Sequence, residues 1–528
     1  MPMGKPGELR IGMTISGAIA LGAYEGGALA ALLAGAQSVN EKQADALRVD
    51  AIAGASAGSM TALLAARTLV AGLDPVEVMY DAWVTAPQLQ ALNDGFRSPL
   101  SVDHMSVEVE KLLAGETQPT RVQPSAVQLN MALGCLRGLD YKIGRIGGPP
   151  IEANTYLDWA EFTVDASRPI SWYTADSGPV AAALASGAHA VAFPPRLLDR
   201  SSPEVQQAYK DNGIEDFPPS GVLWYTDGGT IDNEPLGRAL GMTELLDGPN
   251  ASPLADAGRV HLLISPDPSP PIVGDDYWSR RLPEPTWTKT GLRALKLLRV
   301  QRLYDDLRAV EKMNSRITWT RRLEQTLVGL LEQAQPDPTR TLDEFSEAIK
   351  TQKEELTRPE DERVTSEQPT SELARAVRQA LGVASGLAGK RDVSVAVISP
   401  LVLPEVVSGD KTPHQVLAGE FIGHFGGFLA QQLRENDFAY GYRSMICWME
   451  GASGLAFHGL EPGLATRAVD GAAQARREWE KRAGRPWVQD QGDTSLGARP
   501  LKEKLAVLRV ATRAAAIVFR QILSRHPG

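Results

Sequence analysis

The sequence predicts an α/β protein built on a mostly parallel sheet, with a helical region added to it. Three observations carry that expectation. Short apolar runs alternate with helix-length apolar segments in the first half of the chain. The runs are almost uncharged, as strands buried on both faces are. Glycines stand at the joints where a strand hands over to a helix.

Leu9–Ile15 reads as the first strand and Ala23–Ala36 as the first helix, joined by a glycine-bearing loop. The segment Ile11–Val39 is nearly uncharged and follows Lys5 and Arg10, as an export signal or membrane span would. Gly12, Gly17, Gly22, Gly26, Gly27 and the charge of Glu25 interrupt it, however. A span needs roughly 20 mostly apolar residues without such breaks, so strand, glycine loop and helix is the reading adopted. Val49–Ala53 is a second strand and Ala57–Val70 a second helix. "GVLWYT" (221–226) and "VHLLIS" (260–265) are further strands, with a helix over Pro235–Leu246 between them.

At Pro266 a proline-rich break begins. Trp287–Ala334 has a helical pattern rich in arginine and leucine. Gln335–Glu372 is polar, too poor in apolar residues to build a core. "DVSVAVISPLVL" (392–403) returns to strand character, and its "VISP" resembles "LISP" at 263–266, so the chain is expected to re-enter the same sheet. Helices over Phe421–Leu433 and Leu501–Leu523 close it. The expected division is an α/β domain over 1–270, a helical and partly disordered insertion over 271–390, and a C-terminal strand and helices over 391–528 that pack back on the core.

The net charge of −10 argues against nucleic acid as a partner, because binding there rests on neutralising phosphates. Cys135 and Cys447 are the two cysteines, far apart and in no metal-ligand spacing. No disulfide framework, structural zinc or other metal site is expected, and a reducing, cytoplasmic compartment is the simpler reading. The histidines show no HExxH pattern. Composition does not set the oligomeric state.

Three pieces carry chemistry. Gly54-Ala55-Ser56-Ala57-Gly58 is a G-x-S-x-G placed between a strand and a helix, where a serine on a sharp elbow would project. With 49 glycines in the chain, chance gives about 0.3 such matches, so the strand–helix context matters more than the motif. A helix N-cap is the alternative role for Ser56. "SGAIALGAYEGGAL" (16–29) is a glycine-bearing loop before a helix; G-x-G-x-x-G and the P-loop lysine are absent, which disfavours phosphate binding. "YTDGGTIDNEPL" (225–236) puts Asp227 at the carboxyl end of a strand, followed by Gly228 and Gly229, where a parallel sheet builds its sites. An Asp-Gly turn is the alternative there.

In that order on an α/β pattern, the three pieces resemble the patatin-like phospholipases, over roughly residues 8–270. The resemblance extends to "ALASGAHAVAFPPRLL" (183–198) and to Asn233-Glu234-Pro235. It implies a three-layer sandwich and a serine-dependent lipid acyl hydrolase working through a Ser–Asp dyad and an acyl-enzyme. Ser56 would be the nucleophile and Asp227 the general base. Backbone amides of Gly17, Ala18, Ile19 and Gly22, with Ala57, would form the oxyanion hole. The substrate would be a phospholipid, lysophospholipid or other acyl ester, with no cofactor or metal. The family's usual Gly-Gly-Gly-x-Arg/Lys-Gly reads Gly17-Ala18-Ile19-Ala20-Leu21-Gly22 here, so a position needing φ > 0 would be costly at Ile19. The chain resembles a bacterial subgroup with an "SGA-x-x-LGAYE" loop and a segment like 425–449, where Arg434, Asp437 and Arg443 are expected to form ion pairs.

Two other readings remain open from the sequence. One is a Ser–His–Asp esterase of α/β-hydrolase type using His261, His414, His424 or His458; His189 is expected to be structural or to line the pocket. The other is a catalytically impaired patatin-like protein that binds lipid or a partner. Lys289–Arg302 carries five basic residues and no acidic one, and the C-terminal helix is also basic. Both are candidates for peripheral membrane contact.

Overall fold

The computed structural model describes residues 7–87, 98–100, 103–115, 126–143, 151–190, 192–218, 220–247, 258–267, 303–324, 327, 381, 393–488 and 496–524. Its strands are β1 (Leu9–Ile15), β2 (Leu47–Ala55), β3 (Ala126–Ile143), β4 (Ile151–Asp165), β5 (Arg196–Asp199), β6 (Ile214–Asp216), β7 (Val222–Asp227), β8 (Arg259–Ile264) and β9 (Val395–Ile398). They form one sheet in the order β5-β7-β3-β2-β1-β8-β9. The five strands β3, β2, β1, β8 and β9 are parallel neighbours. β7 runs antiparallel to β3, and β5 antiparallel to β7. β4 folds back on β3 as a long antiparallel hairpin, and β6 adds to the far end of β3.

Helices α1 (Gly22–Lys42) and α2 (Ala57–Ala71) follow β1 and β2 directly. α3 (Pro75–Tyr80), α4 (Asp103–Leu113), α5 (Ile170–Tyr173), α6 (Pro179–Ser186), α7 (Pro203–Asp211) and α8 (Leu236–Asp247) complete the first part. α9 (Gln431–Glu450), α10 (Pro462–Ala483) and α11 (Leu501–Ser524) close the chain. Residues 303–324 are also helical. The main core joins the sheet to α1 and α2, and a smaller one joins Ala51 and Ala53 of β2 to Ala239 and Met242 of α8. The result is a helix–sheet–helix sandwich with a further helical layer outside α1.

That outer layer explains the composition of α1. A helix apolar on all sides must be covered on all sides, and α9 and α10 cover the flank of α1 away from the sheet. Residues 19–42 are long and apolar enough to cross a membrane, but 94% of the window is buried inside the protein. α1 and α9 cross with their backbones in contact. A Cβ on Gly27 would lie 2.0 Å from the Phe438 carbonyl oxygen, and one on Gly441 would lie 1.9 Å from that of Tyr24.

The helix expected over Phe421–Leu433 begins only at Gln431. Before it the chain turns irregularly, with Ile422, Gly423 and His424 at φ of 58°, 61° and 72°. Buried side chains from α9 hold these turns. The Asp437 carboxylate accepts the Ala418 and Gly419 N–H groups at 2.6 and 2.9 Å. The Arg434 guanidinium donates to the carbonyl oxygens of Val84 and Gly427. Neither residue forms the expected ion pair among the described residues; backbone groups satisfy them instead, and the Asn436 side-chain amide also donates to Asp437 at 3.2 Å. Arg443 does pair with Glu405, at 2.8 Å. Burial lowers Arg434 to about 10 and raises Asp437 to about 7, despite the donors on Asp437 that favour its charged form.

The β3–β4 hairpin and α10 had no counterpart among the elements read from sequence. Of the helix expected over Trp287–Ala334, only 303–324 and 327 are among the described residues, and the polar stretch 335–372 and Lys289–Arg302 lie outside them. Cys135 and Cys447 are free thiols, and burial pushes both above the usual range.

Two outcomes follow for stability. Gly441→Ala forces α9 away from α1 and is expected to cost about 1–3 kcal/mol, read as a lower denaturant midpoint. The Asp437 carboxyl is raised in the folded state relative to about 4 in the unfolded chain. The folded state therefore holds this proton more tightly, and the stability it contributes is complete below about pH 4 and lost as pH rises through about 7. Asp437→Asn removes that dependence, so denaturant midpoints of the two proteins across this range should shift in favour of the variant as pH rises.

Candidate active site

β2 and α2 meet at Ser56, the last residue before the helix. Its φ and ψ are 52° and −123°, far from a helix cap, and its side chain makes no capping hydrogen bond. The N-cap role is therefore excluded. A non-glycine residue in such a region costs about 1–3 kcal/mol, and the surroundings must hold it there. The two motif glycines are part of those surroundings. A Cβ on Gly54 would lie 2.4 Å from the Gly58 carbonyl oxygen. One on Gly58 would lie 2.3 Å from that of Ile15 and 2.4 Å from that of Ser16. Only glycine permits both contacts.

Ser186, at the end of α6, ties the turn down. Its hydroxyl has one proton, which it donates to the Ala132 carbonyl oxygen of β3 at 2.6 Å. Its lone pairs accept the Ser56 N–H at 2.9 Å and the Ser59 hydroxyl proton at 2.8 Å. Ser186 lies in the small-residue segment singled out above, but spacing alone gave it no role.

Asp227 ends β7, which descends antiparallel to β3. Asp227 pairs with Leu133 on β3, and the preceding β3 residue, Ala132, pairs with Ala55 on β2. Asp227 therefore reaches the sheet level of Ser56, one strand across. The rule of carboxyl ends of parallel strands does not place it there; an antiparallel strand arriving from the other side does. Asp227 is buried, and its Oδ1 accepts the Gly229 N–H at 2.9 Å. The Asp-Gly turn is therefore also present. A Cβ on Gly228 would lie 2.0 Å from the Ala132 carbonyl oxygen, so this turn too is pressed against β3.

The loop after β1 touches the same point. A Cβ on Gly17 would lie 3.0 Å from the Ser56 Cβ and 2.5 Å from Asn233 Oδ1. Not every amide of this loop faces the pocket. The Gly17 N–H donates to the Asn233 carbonyl oxygen at 3.0 Å, and the Ala20 N–H to that of His424 at 3.1 Å. The Gly22 N–H donates to the carbonyl oxygens of Ala20 and Ile19. Gly17 and Gly22, expected as oxyanion donors, are thus engaged elsewhere, which leaves Ala18, Ile19 and Ala57. Gly22 has a different function: the Trp83 ring rests on it, 2.4 Å from where a Cβ would be. Ile19 has φ of 55°, so the cost expected for a side chain at this position is present.

Beneath the loop, Ser16 donates to Glu25 Oε1 at 3.1 Å, with Glu25 fully buried. Burial raises the Glu25 carboxyl well above the usual range, and the nearby Glu234 adds to the shift. Ser56 and Ala57 open on a pocket walled by Ile19, Met60, Trp83, Met105, Leu184, Phe193 and Phe428. The wall is apolar, with His189 as its titratable side chain. None of His261, His414, His424 and His458 lines this pocket. His261 packs against Thr243 of α8, and burial lowers it to about 3. His414 contacts Glu420, His424 lies 3.8 Å from Asp267, and His458 packs against Trp448 and Phe457.

A strained serine at a strand–helix joint, set at the foot of an apolar pocket, defines an α/β protein of the serine-elbow class. Residues 13–105, which hold the end of β1, the glycine loop, Ser56 and α2, match the family model for patatin-like phospholipase. An uncharacterized protein, y4iI of Sinorhizobium fredii, is 25% identical over 367 residues, 52% of this chain and 52% of its own length. The chain thus spans about half the length of this curated relative. The crystal structure of VipD from Legionella pneumophila aligns over 94% of this chain and 93% of its own, at 12% identity and a TM-score of 0.22.

Ser186→Ala leaves the Ser56 N–H and the Ala132 carbonyl without their buried partner. A loss of about 1–3 kcal/mol in folding free energy is expected, measurable by chemical denaturation.

Proposed function

We propose that this chain is a serine lipid acyl hydrolase that cleaves phospholipid or lysophospholipid acyl esters. Ser56 carries the reading: it is held at positive φ without capping the helix it precedes, and it faces a pocket apolar enough for an acyl chain. In the proposed reaction Ser56 Oγ attacks the ester carbonyl carbon as the Asp227 carboxylate takes its proton. The amides of Ala57, Ala18 and Ile19 stabilise the oxyanion, Ala57 with the added field of the α2 N-terminus. The proton then passes from Asp227 to the departing alcohol. Water, deprotonated by Asp227, attacks the acyl-enzyme, and the carboxylic acid leaves as Ser56 recovers its proton. The dyad itself calls for no cofactor.

A binding role without turnover is the second reading, and Ile19 favours it: a β-branched residue at φ of 55° stands in the loop that would have to supply the oxyanion donors. Hydrolysis of a water-soluble ester and of dispersed phospholipid distinguishes the two, together with labelling by a fluorophosphonate. Wild-type protein is expected to label at Ser56 and to turn over. Ser56→Ala should lose about a thousandfold or more in kcat/KM, and Asp227→Asn about a hundredfold or more, with His189→Gln close to wild type. Turnover surviving in Ser56→Ala refutes the mechanism. A collapse in His189→Gln points to a Ser–His pair, and absence of both labelling and turnover to the binding role.

A further inference from the structure

Helix α11 has two faces of different character. Leu501, Leu505 and Leu508 recur at i, i+4 and i+7, and they are 71%, 43% and 60% exposed. Thr512, Ala515 and Ala516 continue that exposed stripe. At about 100° per residue, Lys502, Arg509 and Arg513 flank one side of it and Lys504 the other. Val510 falls on the opposite face and packs on the cluster of Ala20, Leu100, Ala192 and Phe428. The helix carries five basic residues and one acidic residue, Glu503, in a chain of net charge −10. Arg499 pairs with Glu503 at 2.8 Å.

Leucines in water with cations on both flanks make up a surface suited to the interface of an anionic bilayer. Its location adds a second argument. The cluster under Val510 also holds Ile19, Met105, Phe193 and Phe428, four residues of the pocket wall over Ser56. α11 thus lies against the pocket on one side and offers its leucine stripe on the other. A bilayer on that stripe would stand about 10 Å from the pocket wall, one helix diameter away.

We propose that α11 docks this chain on an anionic phospholipid bilayer, with Leu501, Leu505 and Leu508 among the headgroups and the flanking lysines and arginines on the lipid charges. The purpose of such docking rests on the lipid-hydrolase reading; the docking itself does not. Flotation with vesicles tests it on the full chain carrying Ser56→Ala, so that no lipid is consumed. The protein is expected to float with mixed phosphatidylcholine and phosphatidylserine vesicles, to release them as salt rises, and to ignore pure phosphatidylcholine. The triple variant Leu501→Ser/Leu505→Ser/Leu508→Ser should partition about tenfold or more weaker, and Lys502→Gln/Arg509→Gln about thirtyfold weaker. These side chains are exposed, so thermal midpoints should match the parent. With Ser56 restored, the triple variant should hydrolyse a monomeric soluble ester like wild type and vesicle lipid more slowly. Undiminished flotation of the triple variant, equal binding to pure phosphatidylcholine, or no flotation by the parent overturns the proposal. So does a wild-type self-association that the triple variant abolishes without any vesicle binding. If no ester is hydrolysed by any form, the hydrolase reading fails, and flotation still decides the docking.

Discussion

The turn from β2 into α2 is the constraint on which the rest of the site depends. Gly58 lies so close to the carbonyls of Ile15 and Ser16 that no side chain fits between them, and Gly54 lies as close to Gly58. The end of β1, the end of β2 and the start of α2 are therefore in backbone contact. Within that contact the chain reverses over one residue, and Ser56 takes a φ of 52°. Strain of this kind persists only where neighbours over-determine the backbone. The glycine contacts and the Ser186 hydroxyl do this from two sides. Because β1 ends against this turn, the loop that follows it must pass beside Ser56, as the approach of Gly17 to Ser56 records.

The sheet brings the second polar group by a different route. A parallel strand order puts the ends of β1 and β2 at one edge, but the neighbouring β3 runs on past that edge into its hairpin with β4. β7 pairs with the overhanging part of β3 and runs back toward the edge, which ends Asp227 at the level of Ser56. The residues after Asp227 then cross to the glycine loop, where the Asn233 carbonyl takes the Gly17 N–H. The loop, the elbow and the Asp-Gly turn are thus tied together by backbone contacts.

What sequence made legible follows the range of the interactions involved. β1 and α2 lie within a residue of their expected bounds, because a buried strand and an apolar helix are local patterns bounded by local glycines. The positions of Ser56 between β2 and α2 and of Asp227 at the end of β7 were legible because each sits in a short motif at the end of an element. Ser186 was not, since its role needs groups from β2, α2 and β3 that only the fold brings together. Arg434 and Asp437 looked like an ion-pair set because charge is visible in sequence, whereas the carbonyls and amides that satisfy them are not. The same holds for the glycine loop. Its glycines suggested donors, but Gly17 is engaged by Asn233, and Gly22 is a seat for Trp83.

Ile19 shows why the C-terminal region has to be counted with the site. A β-branched residue in left-handed backbone is disfavoured by about 1–2 kcal/mol, and the loop has no glycine at that position to relieve it. The next residue is held from outside the α/β layers: the Ala20 N–H donates to the His424 carbonyl, and the Ala20 methyl packs where a Cβ on Gly427 would be. Residues 418–427 are themselves held by Asp437 and Arg434 of α9, which packs against α1. A line of contacts therefore runs from the buried α1–α9 crossing through the turns at 418–427 to the backbone of the glycine loop. In a loop with glycine at all three positions, the backbone would reach this conformation without such support. With Ala18 and Ile19 there instead, the C-terminal helices supply externally the conformational restraint that the loop's own sequence lacks.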